Sequence, residues 1–241
     1  MKHGIDISEH NGNIDIQSLH PDFVIIRAGY GHRYTDKYLF RNVKECERLN
    51  IPYGLYWFSE ALNTEESQDE AIYFLNLIKN LNPKVGVWLD MEDSTWKTNN
   101  GWSKTSKNVT AICEAFCDIV QMEGYYTGIY CNKYYFDNLV KTRRFDFWIA
   151  WWNHEKNTQN IGSMLQYTDK LGGMNLDGNV CYADLKTYDV NYLKDRHKKL
   201  IHELAERTIN GEFGNGEDRK KILGVIYSEV QSEVNKMGGK K

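Results

Sequence analysis

Proline is scarce in this chain, three in 241 residues, while hydrophobic residues make up 41%. Disordered chains bury too little apolar surface to offset their ordering entropy, so this balance excludes a long disordered tract. An excess of one charge is lacking too. With a formal net charge of −3, the chain has no basic surplus to compete for phosphates, and a nucleic-acid partner is not expected. Long apolar runs are missing: the N-terminal MKHGIDIS has no apolar run of the length a signal peptide needs, and nothing later approaches a membrane span. The chain is therefore expected to be made in a cytoplasm, to make no membrane contact, and to need another exit route, such as a holin-type pore, for any substrate outside. Metal-like cysteine spacing is absent as well. Cys46, Cys113, Cys117, Cys131 and Cys181 are odd in number and form no CxxC. They read as reduced, buried thiols, and Cys113 with Cys117, four apart on a helix face, finds no third ligand. The glycines of GHR and GGM lack the flanking pattern of a phosphate-cradling loop. No metal and no cofactor are expected.

What is abundant is aromatic surface with polar handles, 7 Trp and 16 Tyr against 9 Phe. Such rings suit sugars, whose C–H faces stack while their hydroxyls need donors and acceptors. Short apolar runs recur along the first three-quarters of the chain: GIDI (4–7), FVIIRAGYG (23–31), YGLYWFS (53–59), VGVWLDME (85–92), TGIYCN (127–132), FWIAWW (147–152) and MLQYT (164–168). Each has strand length and composition. Helices are expected between them at about 36–50, 64–80, 104–123 and 132–141, the second N-capped by Thr64 ahead of Glu65 and Glu66. Strands apolar on both faces and separated by helices imply a parallel sheet, either an α/β barrel or a doubly wound sheet; the barrel is favoured. In a barrel, polar residues at strand C-terminal ends line the active face. The runs end in Asp6, Arg27, Ser59, Asp90 with Glu92, Asn132, Trp152 and Gln166.

Asp90 and Glu92 flank Met91 at the end of one run. Strand alternation points both side chains to one face, about 6.6 Å apart along the strand. Glycoside hydrolysis needs a proton donor for the leaving oxygen and a carboxylate, or a neighbouring group, to meet positive charge on the anomeric carbon. Among aromatic rings the two pKa values are expected to separate, with Glu92, the longer, as the acid. Asp6 ends the first run in the same way, and Asp184 lies where an eighth strand could close the barrel, which would place four carboxylates on one rim.

In order along the chain, GIDIS (4–8), FVIIRAGYG, IPYGLYWFS (51–59), WLDME (88–92), GYYTGIYCN (124–132), FWIAWW and LQYTD (165–169) resemble the blocks of the Chalaropsis-type lysozymes, the family-25 glycoside hydrolases. The resemblance covers residues 1 to about 190. It implies a flattened TIM-like barrel of eight strands with fewer than eight helices, and N-acetylmuramidase activity on the MurNAc-β-1,4-GlcNAc bond of bacterial peptidoglycan. By position, Glu92 matches the general acid, Asp90 its partner, and Asp6 and Asp184 the other two acids. Asp177 competes for the last place, because NLDGNVCYADLKTY departs from the usual glycine-rich approach. Tyr56, Tyr130, Trp148 and Gln166 fall in groove-lining blocks, and Arg27 joins them as a candidate substrate contact. Retention through the substrate's 2-acetamido group and direct displacement by Asp90 or water both stay open, since the strand spacing lies between the two classes. A non-catalytic wall-binding barrel and a chitinase with a DxE pair are the competing readings.

After Tyr188 the strand-like runs stop. The chain is read as a barrel over 1–190, a charged linker over 191–198 and a three-helix module over 199–241. Ile201, Leu204, Ala205 and Ile209 mark its first helix, the turn 211–216 precedes the second, and Ser228 with Gln231 forms a capping-box pattern opening the third. Residues 204–235 resemble the cell-wall-binding repeat of some pneumococcal phage lysozymes, especially at GNGEDRK. The resemblance implies recognition of the glycan-peptide unit, a phage-encoded protein, and Phe213, Gly214, Asn215 and Arg219 as contacts, with Phe213 where the family often has Trp. A monomer or dimer is expected, and in a dimer the single repeat gains by avidity.

Overall fold

The computed structural model describes residues 1–92, 104–152, 161–223 and 226–238. It comprises two compact units, Met1–Val190 and Asn191–Lys241. In the first, the apolar runs form β1 (Lys2–Ile7), β2 (Phe23–Tyr30), β3 (Tyr34–Thr35), β4 (Tyr53–Phe58), β5 (Val87–Asp90), β6 (Thr127–Asn132), β7 (Asp146–Ala150), β8 (Met164–Thr168) and β9 (Asp177–Cys181). Eight of them close a barrel in the order β1-β9-β8-β7-β6-β5-β4-β2, sealed by parallel β1–β2 pairing from Gly4↔Phe23 to Ile7↔Ile26. The ninth, β3, hairpins onto β2. Five helices among the described residues accompany this barrel: α1 (Ile16–Leu19), α2 (Leu39–Leu49), α3 (Thr64–Ile78), α4 (Ser106–Met122) and α5 (Lys133–Asn138).

The sheet is not parallel throughout. The strand β9 runs antiparallel to both β8 and β1. A parallel return needs a crossover of a dozen or more residues; only 169–176 separate β8 from β9, and Gly172 and Gly173 turn the chain there at φ 58° and 81°. The cap of α3 also falls one residue earlier than expected. Asn63, not Thr64, accepts the Glu66 N–H at 2.8 Å, and the Glu66 carboxylate accepts from the Asn63 amide and from Leu62 N.

Alternation divides each strand between two cores. Ile5, Ile7, Val24, Ile26, Leu55, Leu89, Ile129 and Ile149 face out, in one cluster with Val43, Phe74, Ile112 and Phe116 of the helices. Each fully buried side chain of this kind contributes about 1.5–3 kcal/mol. Phe23, Ile25, Trp88, Trp148, Met164 and Tyr188 fill the interior. Two strand glycines make room for the largest rings: a Cβ on Gly4 would lie 2.5 Å from the Phe23 ring, and one on Gly128 2.4 Å from Trp88 Cζ3. The closed end is polar but satisfied. Trp88 Nε1 donates to Val85 O, Tyr126 Oη to Asp146, and Tyr188 Oη to Ser163 Oγ, which itself donates to Asp146.

The second unit contains α6 (Val190–Ile209), α7 (Gly216–Leu223) and α8 (Tyr227–Gly238). The stretch expected as a linker is instead part of α6, which runs unbroken through 194–199. Ile201, Ala205, Phe213, Leu223 and Val230 form its core, whereas Ile209 is exposed. The expected capping box does not form on α8. Gln231 accepts from Arg219 and donates to Asn235 instead of reaching back to Ser228.

Candidate active site

Parallel strands deliver their last inward residues to one mouth of the barrel. Asp6, Arg27, Tyr56, Asp90, Tyr130 and Gln166 arrive there from β1, β2, β4, β5, β6 and β8. Extended pairing continues past β5, since Met91 N donates to Tyr130 O at 3.0 Å. Met91 is buried among the outward-facing residues, so Asp90 and Glu92 on either side of it turn to the mouth. Burial first, then the charges of Glu92 and Asp6, push the Asp90 carboxyl well above the usual range, with Arg27 opposing. Its Oδ1 has no hydrogen-bond partner among the described residues.

The fourth acid at this mouth is Asp177, and the expectation for Asp184 is corrected. Because β9 runs antiparallel, its first residue reaches the mouth, where Asp177 sits opposite Asp6, and its last, Cys181, sits opposite Lys2 at the closed end. Asp184 follows beyond that end, capping a 3-10 turn by accepting from Lys186 N. Burial and then the Asp6 charge push Asp177 up to about 8. Asp6 itself is pushed to about 6 by burial, held lower than it would otherwise be by donors from Asn179, Gln166 and Asp177. Asn179 Nδ2 lies 2.7 Å and Gln166 Nε2 3.0 Å from Asp6 Oδ2.

The expected groove residues divide into floor and wall. Trp148 is 1% exposed and so lies beneath the groove. Its ring packs against Tyr130 at 4.4 Å, Tyr56 at 6.1 Å and Trp88 at 6.2 Å, and its Nε1 donates to Asn179 Oδ1 at 2.8 Å. Arg27 is buried and bridged to Asp36 at 2.8 Å and Glu9 at 3.0 Å, which leaves it acting through its field more than by contact. Gln166 accepts from Tyr130 Oη at 3.0 Å and Trp152 Nε1 at 3.3 Å. The open wall joins Glu92, Tyr130 and Trp152 to Lys133, Tyr134 and Trp151, which sequence patterning passed over. A cleft of about 490 Å³ is lined by Glu92, Tyr130, Lys133, Tyr134, Trp151 and Trp152; Trp152 is 49% exposed, and Lys133 sits 5.0 Å over the Trp151 ring.

In the second unit, Phe213 is corrected from a ligand-stacking ring to a core residue. It is 8% exposed, with Arg207 4.9 Å over its face. Arg219 closes the GNGED turn by donating to Gly214 O and Asn215 Oδ1, and Gly214 and Asn215 are exposed. All five cysteines are buried and free. Among the described residues no His/Cys/Asp/Glu group could hold a metal ion, and no helix is long and apolar enough to cross a membrane.

The chain is similar to several proteins of known structure. The modular autolysin LytC from Streptococcus pneumoniae, solved with a synthetic peptidoglycan ligand, is similar at 28% identity and TM-score 0.65, over 75% of this chain and 46% of that one. The chain thus spans under half the length of that autolysin. The CTP1L endolysin is similar at 25% identity and TM-score 0.64, over 81% and 70% of the two chains. The catalytic domain of endolysin ply40 from bacteriophage P40 of Listeria monocytogenes matches at 25% identity and TM-score 0.61, over 80% and 97%. No curated protein matches the chain. Residues 202–237 match the CW_7 repeat. Residues 5–174, most of the barrel including Asp6, Asp90 and Glu92, match the glycosyl hydrolases family 25, and the chain belongs to that family.

Proposed function

We propose that the protein is an N-acetylmuramidase of the endolysin type, which lyses bacterial cell walls by hydrolysing the β-1,4 bond between MurNAc and GlcNAc in peptidoglycan. The observation that carries this reading is the crowding of Asp6, Asp90, Glu92 and Asp177 at one barrel mouth beside a Trp- and Tyr-walled cleft. Carboxylates this close cannot all ionise together, so the pair Asp90 and Glu92 holds a shared proton. Glu92 delivers it to the leaving glycosidic oxygen, because Glu92 is the member that lines the open cleft. Both carboxylates are then charged, and Asp90 lies beneath the positive charge developing at the anomeric carbon. Trp151, Trp152 and Tyr134 offer rings for sugar faces, and Arg27, tied to Asp36 and Glu9, moderates the field of the cluster from below.

The CW_7 match motivates a wall-binding role for residues 202–237, with Gly214, Asn215 and Arg219 at the exposed turn as the candidate contacts. Holding a catalytic unit on its polymer raises the local enzyme concentration without any new contact to the scissile bond. Deleting 199–241 is therefore expected to weaken wall binding more than turnover of soluble fragments; equal losses in both assays would assign the segment to barrel stability.

The reaction is tested by borohydride reduction of digested walls followed by amino-sugar analysis. Reduced muramic acid is the expected new end. Reduced glucosamine would assign a different glycosidase, and the absence of new ends would make the barrel a binding protein.

A further inference from the structure

Asp6 is held in place by side chains of two neighbouring strands. Directly across the ladder from it stands Asp177, and Gln166 faces Asn179 on the neighbouring pair of strands. Both amides point their N–H groups at the same oxygen, Asp6 Oδ2. Neither amide is free to turn over. Asn179, wholly buried, has its carbonyl oxygen occupied by the Trp148 indole, and the Gln166 carbonyl oxygen accepts from both Tyr130 and Trp152. A flipped amide would aim N–H at N–H on one side and oxygen at carboxylate on the other, each a lost hydrogen bond plus a repulsion. Asp6 thus meets only donors: two amides, and the carboxyl of Asp177.

Resting on the muramidase reading above, we propose that Asn179 is a positioning residue: locked by Trp148, and acting with Gln166, it makes Asp6 the anion and Asp177 the proton carrier of a dyad behind Asp90 and Glu92. The dyad then presents one negative charge to the reacting centre. Two charges would hold the Glu92 proton too tightly, and none would leave the developing positive charge without support. The other groups whose charges reach this dyad or its neighbours are Arg27, Tyr56, Asp90, Glu92, Tyr130 and Asp169. Of these only Arg27 is cationic, and it is already bridged to Glu9 and Asp36. The amides are consequently the local means of deciding which of the two Asp side chains ionises first. That order agrees with Asp6 at about 6 and Asp177 at about 8.

The test uses the full chain with Asn179→Leu, which removes the donor at similar volume, and Gln166→Met as a second variant should the first fail to fold. Loss of one amide donor is expected to raise the Asp6 titration by about one pH unit, read by 13C NMR of the labelled Asp carboxyls without substrate. The acid limb of kcat should move up by the same amount. At pH 6 this lowers kcat by up to about tenfold, with KM within about twofold of wild type. Trp148→Phe, which frees the amide but leaves it in place, should shift both readouts less and in the same direction. Folded variants whose Asp6 titration does not move, or whose titration moves while the acid limb stays, would overturn the proposal. A wild-type protein that releases no muramic acid ends would sink the muramidase reading instead, and the Asp6 titration would still report on the dyad.

Discussion

The two ends of the barrel interior are made by the same strands a few residues apart, and they solve opposite problems. At the closed end every large ring with a polar atom has a partner: Trp88 with Val85, Tyr126 with Asp146, Tyr188 with Ser163. At the mouth, burial pushes Asp6, Asp90 and Asp177 upward, with like charge adding at Asp90 and Asp177, and Asp90 Oδ1 lacks a partner among the described residues. One end is built to be satisfied and the other to hold protons, on Asp90 and Asp177, that water would strip at neutral pH. Stability is given up at the mouth, where the chemistry is proposed to take place, and recovered at the base.

Substitutions at the two ends should therefore separate rate from stability. Asp90→Asn is expected to slow release of reducing ends about a hundredfold or more, with a melting temperature at pH 7 no lower than wild type, since a neutral amide replaces a buried carboxyl that folding must keep protonated. Next in size is the pair of acids that sequence reasoning left in competition. Asp177→Ala should cost about tenfold in kcat near pH 6 by taking a donor from Asp6, Asp177→Asn should restore most of it, and Asp184→Ala should stay within about twofold. A larger loss at Asp184 than at Asp177 would reverse the assignment of the two ends.

A smaller effect concerns pH. The folded-state values of Asp177, about 8, and Asp6, about 6, lie above the ordinary 3.8, so the folded protein holds protons that the unfolded chain releases. The stability this linkage provides is complete below about pH 4 and is lost as pH rises through 6 and then 8. Asp177→Asn cannot lose that proton. Its melting temperature should gain on wild type between pH 5 and pH 9, and parallel curves would contradict the raised value. Smallest is Tyr188→Phe at the closed end, where losing the hydroxyl's contacts with Ser163 and Cys181 should cost about 1 kcal/mol in urea unfolding and leave turnover unchanged.

Legibility in the sequence followed from which face of each element is apolar. Seven strands could be read because both faces bury apolar residues; β9 could not, because two of its three inward positions are Asp177 and Asn179, polar for the sake of the site. The same spacing that singled out Asp90 and Glu92 recurs there as Asp177-x-Asn179, and that was the available signal. Trp148 and Trp152 occupy one run, yet alternation alone does not say where the barrel mouth begins, so the buried Trp148 was read as groove wall along with the exposed Trp152. In the second unit, the charged residues of 194–199 read as a linker because they carry no apolar stripe, although they continue α6. Phe213 was carried over as a contact from the repeat that the segment resembles, and local pattern does not distinguish an exposed aromatic from the core of a three-helix unit.

The most direct measurement compares wall clearing by Glu92→Gln and wild-type protein, with folding checked by circular dichroism and wall binding by co-sedimentation. A loss of at least about a hundredfold in rate with binding retained is expected if Glu92 supplies the proton. A rate within about threefold of wild type would contradict acid catalysis by Glu92 and, with it, the placing of the reaction at this mouth of the barrel.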